Sequence, residues 1–478
     1  MRKIIFTVLI ATLVHSAHAA LVAPVAQPNP DGAALTSTTS GTIDTANPFF
    51  KAFGNGRSCA TCHQEAEGWS ISPRGLQARF NATQGNDPVF RLIDGANSPQ
   101  ALAATLDQKR LAYSMLLTKG LIRVGMPIPP NAEFTLVRAD DPYGYASARE
   151  LSLFRRPLPT ANLAFAAHVM WDGRETFTDP RSLACIRNAR PAQCFATLSF
   201  NLLRQANSAV RGHAEAAQDL SAAEQQAIVG FERSLTTAQV FSSTAGSLLD
   251  AGAQGGPARL AAQDFYFGIN DVEAGDYRSG APFERNAFTL FGAWRNAAVP
   301  VPPPRGQRPQ PVSAQNLAQN LARASVARGE ALFNNRPMNI TQVAGFSDQL
   351  RLPLQRGTCT SCHNAPNAGS HSVARMFNTG VAAGALRTPD MPLYTLRNNA
   401  TGETVETTDP GAALVKGLWR DVGKFKTPAL RGAGGRAPYF HDGSARDAQA
   451  VVRFYDRRFR MGLSPQEMAD LSAFLKVL

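Results

Sequence analysis

The chain has 478 residues, 44% of them hydrophobic, with 38 Gly, 32 Pro, six Cys and a formal net charge of +12. That apolar share over that length is enough for two loop-rich cores and excludes a disordered chain. No long Lys/Arg run marks a phosphate-tracking stripe, so the basic balance favours an acidic protein or an anionic membrane face as partner, not nucleic acid.

Residues 1–19 read as a secretory signal: Arg2 and Lys3, an apolar run over 4–14, and Ala17-His18-Ala19 as the cleavage site near Ala19. The run is too short to cross a bilayer, and no later stretch reaches about 18 uninterrupted apolar residues. A periplasmic or secreted chain is expected, with charge +10 once Arg2 and Lys3 are lost (12 minus 2).

Cys59-Ala-Thr-Cys62-His63 comes next, and its counterpart Cys359-Thr-Ser-Cys362-His363 lies three hundred positions on. Cys-x-x-Cys-His is the attachment pattern of c-type haem: two thiols form thioethers with the vinyl groups, and the adjacent imidazole ligates the iron. At this composition one such pentamer arises by accident on the order of 10⁻³ times per chain. A Cys₄ zinc ribbon would pair its Cys-x-x-Cys units within about 15 to 20 residues. Two covalent haems are therefore expected, tethered by Cys59, Cys62, Cys359 and Cys362, with His63 and His363 as iron ligands.

Between His63 and Phe154 runs a long excursion, with a helix expected near 107–119 and a strand at 133–138. Phe154-Arg-Arg-Pro157 and Met170-Trp171-Asp172-Gly173-Arg174 follow it. They are echoed by Phe425-Lys-Thr-Pro428 and Phe440-His441-Asp442-Gly443-Ser444 in the second half. Cys185 and Cys194 are the two remaining thiols, expected to pair in an oxidising compartment. Ser221-Ala-Ala-Glu224 and Ser464-Pro-Gln-Glu467 are capping boxes that open two further helices. Matching apolar stripes run through Ile228, Phe231 and Leu235 and through Leu471, Phe474 and Leu478. The pattern predicts a mainly α protein: two cytochrome c-like haem domains as a pseudo-repeat with long loops and insertions. The expected divisions are 46–240 with an insertion at 64–150, a connecting region at 241–321 carrying the Pro-rich run 299–304, and 322–478.

The order of the two haem motifs, the WDGR loop, Lys426-Thr-Pro-Ala-Leu-Arg431 and Pro438-Tyr-Phe-His-Asp-Gly443 resembles that of the bacterial dihaem cytochrome c peroxidases. That superfamily includes a tryptophan-oxidising methylamine-utilisation enzyme and the dihaem rubber oxygenases. The resemblance implies peroxide reduction at the N-terminal haem, electrons relayed through the C-terminal haem, and an external small cytochrome or cupredoxin as donor. It also leaves room for calcium held by backbone carbonyls between the domains, one from Pro438.

The sequence departs from the family in three ways. No histidine occurs from Gln64 to Ala167 to block the first haem, although Met115 or Met126 could ligate it. Tyr455 stands where the peroxidases place a methionine ligand. On its residues alone it is a core aromatic of a helix face, whereas the tryptophan-oxidising relative uses a tyrosine ligand there. Near the WDGR loop an ungapped comparison puts Val169 in place of glutamine and Asp179 in place of glutamate, with His168 and Glu175 as other candidates for moving the peroxide proton. Trp171 is either core packing or an electron relay, while Arg174 and His441 are candidate partners of a haem propionate or of a neighbouring group. Three functions follow from the resemblance: peroxidase, oxidation of a protein or small molecule, and rubber-oxygenase-like dioxygenation. A non-enzymatic electron carrier is the fourth.

Overall fold

The computed structural model describes residues 21–176, 191–298, 313–346 and 356–478, and of residues 191–197 only the backbone. The leader, Asp179, Cys185, the side chain of Cys194 and the Pro-rich run 299–304 lie outside the described residues.

The expectation of a mainly α protein is corrected. Beside its helices the chain forms fifteen strands in six small sheets among the described residues. Many are two or three residues long, below what periodicity can register. Others are covered on both faces and so lack alternation: all five residues of Leu151–Arg155 are buried.

The sheets join distant parts of the chain. Gly32–Ser37 pairs antiparallel with Thr236–Ser242, in the register Leu35↔Ala238. Phe134–Asp140, the strand expected at 133–138, pairs with Leu393–Asn398 in the other half, with Tyr394 opposite Ala139. Ile122–Met126 pairs with Leu151–Arg155. The helix expected near 107–119 forms as two pieces, Leu106–Ala112 and Ser114–Lys119, meeting at Tyr113.

The helices at the C-terminal end build the second core. Both capping boxes form: Ser464 Oγ accepts from Glu467 N at 3.2 Å and Ser221 Oγ from Glu224 N at 3.2 Å. Ala314–Asn335 begins ahead of the 322 boundary and crosses Pro465–Lys476 at Gly329, where a Cβ would stand 2.0 Å from the Asp470 carbonyl oxygen. The absent side chain permits this approach. Phe288 then meets Phe333 and Phe474 edge to face, and Phe333 and Phe474 are tilted against each other, with ring centroids 5.2 to 5.5 Å apart. Cys359, Cys362 and Tyr455 pack against this core. Cys59 packs against a first core that holds Phe49, Trp69, Phe231 and part of Pro191–Gly212, while Cys62 packs against a neighbouring one with Phe80, Phe90 and Leu116.

Candidate haem-binding sites

The two Cys-x-x-Cys-His motifs fold alike because their flanking residues do the same work. Each pair of cysteines sits on a single 3₁₀ turn, Cys59–Thr61 or Cys359–Ser361. Thr61 Oγ1 accepts from Ser58 N at 2.9 Å, and Ser361 Oγ from Thr358 N at 3.0 Å. The histidine N–H then bonds the first cysteine's carbonyl, at 2.9 Å in one copy and 3.0 Å in the other. Each imidazole Nδ1 faces the carbonyl six residues on, Trp69 O at 3.0 Å and Gly369 O at 2.5 Å. Nδ1–H donation to a carbonyl fixes the tautomer and leaves Nε2 with a free lone pair. Burial lowers both imidazoles to about 4, so they are neutral ligands at neutral pH. Burial also raises the thiols, to about 12 for Cys59, Cys359 and Cys362 and about 11 for Cys62. That is the opposite of the shift found in thiolate metal sites and redox dithiols.

The paired Asp-Gly loops also repeat in backbone form. Met170 and Phe440 take positive φ, 65° and 68°, as do Gly173 at 74° and Gly443 at 66°. Asp172 Oδ1 accepts from Arg174 N, and Asp442 Oδ1 from Ser444 N, both at 3.1 Å. The loops clasp the two halves reciprocally: Arg156 N donates to His441 O at 2.6 Å, and Lys426 N to Trp171 O at 2.9 Å. Trp171 and His441, equivalent in the repeat, meet edge to face at 6.4 Å.

Beneath this clasp lies a cavity of about 240 Å³, and Cys359, Cys362, His363 and Tyr455 all contribute to its wall. Tyr455 stands on the helix Ala448–Phe459, its ring stacked on Phe459 at 5.7 Å, and its hydroxyl hydrogen-bonds Thr379. Burial, then the nearby Cys362 and Cys359 thiols, raise its phenol well above the ordinary range. Trp171 and His441 close another part of the wall, with indole Nε1 donating to Arg156 O at 2.8 Å.

Three cationic side chains, Arg156, Lys426 and Arg436, face the cavity, and among the described residues no Asp or Glu lines it. Their bonds go to carbonyls. Arg156 donates to Lys119, Ile71 and Arg436 O at 3.0 to 3.1 Å, Lys426 Nζ to His168 O at 2.9 Å, and Arg436 Nε to Gly432 O at 2.6 Å. Burial lowers Lys426 to about 8 and both arginines to about 10, with the Arg436 charge adding to the shift of Arg156. Buried cations without counter-ions call for an anionic occupant. Two thiols, a neutral imidazole, apolar walls and unpaired cations fit a covalently held haem with its two propionates.

The remaining expected residues fall around this clasp. Arg174 reaches Asp172 at 3.3 Å, inside a buried network in which Arg155 pairs with Asp172 at 2.5 Å and Asp409 at 2.6 Å. Burial works against the Arg155 charge, but Asp172 and Asp409 outweigh it. His441 stacks on Phe425 at 4.2 Å and its Nε2 stays 3.9 Å from Asp409, so neither ring nitrogen has a hydrogen-bond partner among the described residues. His168 is buried and lowered to about 3, first by burial and then by Lys416 and Lys426. Glu175 is half-buried on the same loop. Met115 packs with Leu121, Phe154 and Met391, and Met126 against the core of Phe134 and Tyr394. Neither belongs to the cores that hold Cys59 and Cys62.

No family model matches the chain. It is 32% identical over 185 residues to the cytochrome-c peroxidase IdrP1 of Pseudomonas sp. (strain SCT), covering 34% of this chain and 42% of that one. It is 35% identical over 133 residues to IdrP2 of the same strain, covering 25% and 35%. Over these segments the chain is similar to cytochrome-c peroxidases. IdrP1 of Denitromonas iodatirespirans matches at 32% over 143 residues, covering 25% of this chain and 36% of its own length. The chain thus spans less than half the length of each of these peroxidases. A MauG-like protein associated with microbial copper homeostasis aligns over 84% of this chain and 89% of its own, at 14% identity and a TM-score of 0.29, too loose a superposition to bear on the fold.

Arg156, Lys426 and Arg436 were missed from sequence, where Arg174 and His441 stood as the propionate candidates. The signal was present in part: Arg156 and Lys426 each lie fifteen residues before the aromatic or imidazole ring of their Asp-Gly loop.

Proposed function

We propose that the chain is an exported dihaem c-type peroxidase that reduces hydrogen peroxide at an N-terminal haem, with electrons relayed through a C-terminal haem. The observation that carries the reading is the cavity at the second motif, where His363 and Tyr455 line the wall together with three cations and, among the described residues, no Asp or Glu. When bound, c-type haem supplies a redox iron able to cleave the peroxide O–O bond. The division proposed is a domain at 46–240 for peroxide chemistry and one at 322–478 for electron transfer.

In this reading Cys59 and Cys62 tether the first haem and His63 offers Nε2. Cys359, Cys362, His363 and Tyr455 serve the second. Arg156, Lys426 and Arg436 bind carboxylates and exclude them from the apolar walls. Met115 and Met126 pack elsewhere, which leaves the first site free of a methionine from the excursion. Asp179, His168 and Glu175 are the proposed carriers of the peroxide proton, and burial makes His168 a weaker base than an imidazole at its ordinary value, which favours a carboxylate in that role. Trp171, on the cavity wall, is the proposed electron relay.

A second reading, oxidation of a protein or small molecule, is favoured by Tyr455, since an anionic oxygen ligand stabilises oxidised iron more than a thioether does. Pyridine haemochrome analysis is expected to give two haems per chain. Electron paramagnetic resonance of the ferric protein should show a high-spin signal consumed by peroxide and a second signal altered in Tyr455→Phe. Fewer than two haems, or two signals indifferent to peroxide, would sink the proposal. Rapid-mixing oxidation of a reduced cytochrome, set against a tryptophan-rich protein, separates the two readings.

A further inference from the structure

The position six residues after each motif histidine is built differently in the two copies, although both residues present their carbonyl to the imidazole Nδ1. In the second it is Gly369, for which a φ of 72° brings no steric conflict. In the first it is Trp69 at φ 59°, a left-handed conformation that crowds any side chain. A tryptophan held there needs an anchor.

The anchor comes from outside the expected haem domain. The buried indole donates from Nε1 to Thr36 Oγ1 at 2.8 Å. Thr36 belongs to the strand Gly32–Ser37, ahead of the 46–240 division. It stands opposite Thr237 in the pairing with Thr236–Ser242, and the two hydroxyls lie 3.0 Å apart. Thr237 is fixed in turn, since its N–H donates to Asn162 Oδ1 at 2.9 Å and its carbonyl accepts from Asn162 Nδ2 at 2.8 Å. The indole ring packs with its centroid 6.1 Å from Phe49 and 5.6 Å from Phe231, and Phe49 lies 6.5 Å from the His63 ring.

The Trp69 carbonyl also serves a second donor. Thr160 N reaches it at 3.1 Å, beside His63 Nδ1 at 3.0 Å. A carbonyl oxygen has two lone pairs, and two donors share its basicity. Where Trp69 sits therefore decides how strongly Nδ1–H is bound, and so how much anionic character the imidazole gains. A more anionic imidazole stabilises oxidised iron, which makes this bond a lever on reduction potential.

We propose that Thr36 and Trp69 are positioning residues for His63: the N-terminal strand, through the Thr36 hydroxyl and the indole, holds the carbonyl that orients the imidazole and sets the potential of the first haem. The inference rests on His63 being a haem ligand and is independent of what the haem oxidises. The hairpin of Gln27–Asn29 and Gly32–Ser37 becomes part of the first haem site, although it precedes the motif in the chain.

The test uses the haem-loaded full chain. Thr36→Val removes the hydroxyl at nearly constant shape, and Trp69→Phe removes the indole N–H while keeping a ring. Each loosens the carbonyl and weakens Nδ1–H donation, so the first haem is expected to shift at least tenfold toward its reduced form, about 59 mV for one electron. Resonance Raman spectra of the reduced protein should show a lower iron–imidazole stretching frequency. Thr36→Ser keeps the hydroxyl and should leave both readouts at their unsubstituted values. The second haem, identified as the one whose spectrum responds to Tyr455→Phe, should not move, because its carbonyl belongs to Gly369. An unmoved first potential in both Thr36→Val and Trp69→Phe, an equal shift at both haems, or a Thr36→Ser potential displaced as far as that of Thr36→Val overturns the positioning role. Pyridine haemochrome analysis of the unsubstituted chain is run alongside. Two haems with unmoved potentials remove the positioning role alone, and one haem or none removes the reading on which it rests.

Discussion

Glu232 shows how far a single buried group can govern behaviour. It sits on the helix Ala222–Ser234, 4% exposed, with Oε2 lacking a hydrogen-bond partner among the described residues. Burial alone lifts its carboxyl from 4.5 to about 8. Between those values the folded chain holds a proton that the unfolded chain has released, so stability is full below pH 4.5 and is lost as pH rises toward 8. Glu232→Gln removes the linkage. Urea denaturation across that window should give a flatter stability profile for the variant, which gains a few kcal/mol at pH 8; parallel profiles would mean that the carboxyl is solvated. At this same scale the cysteines and histidines of the haem motifs were legible, because covalent chemistry dictates their spacing. Arg156 and Arg436 were not, since an arginine with only carbonyl partners looks in sequence like any other.

Among the elements, the helices with capping boxes were readable because Ser221 and Ser464 bond groups three residues away. The crossing of Ala314–Asn335 with Pro465–Lys476 was not, although Gly329 permits it. Gly329→Ala places a Cβ against the Asp470 carbonyl and should destabilise the C-terminal core by about 1–3 kcal/mol, read as a lowered melting temperature with unchanged haem content. An unchanged melting temperature would show that the helices can separate without cost. The strands were the largest omission. Phe134–Asp140 acquires its pairing from Leu393–Asn398, and Leu151–Arg155 is buried throughout, so neither register nor exposure was available to a local pattern.

For the whole molecule, the decisive feature is that the two halves share groups. Arg155 of the first half pairs with Asp409 of the second, all but sealed from solvent, and the Trp171 and His441 loops each accept a backbone hydrogen bond from the opposite half, from Lys426 and Arg156. Arg155→Met strands Asp172 and Asp409 in the interior, which should cost about 3–5 kcal/mol. Denaturation followed at both haem absorptions should remain one transition shifted to lower urea, whereas two separated transitions would mean independent halves. The sequence alone determined the duplicated attachment motifs, the paired Asp-Gly loops and the tyrosine at 455, because each is written in neighbouring residues. Only the tertiary structure decided that Arg156, from the first half, completes the cavity of the second motif, and that strands more than two hundred residues apart pair. Desolvation and long-range hydrogen bonding depend on what surrounds a group in space, and chain order does not encode that locally.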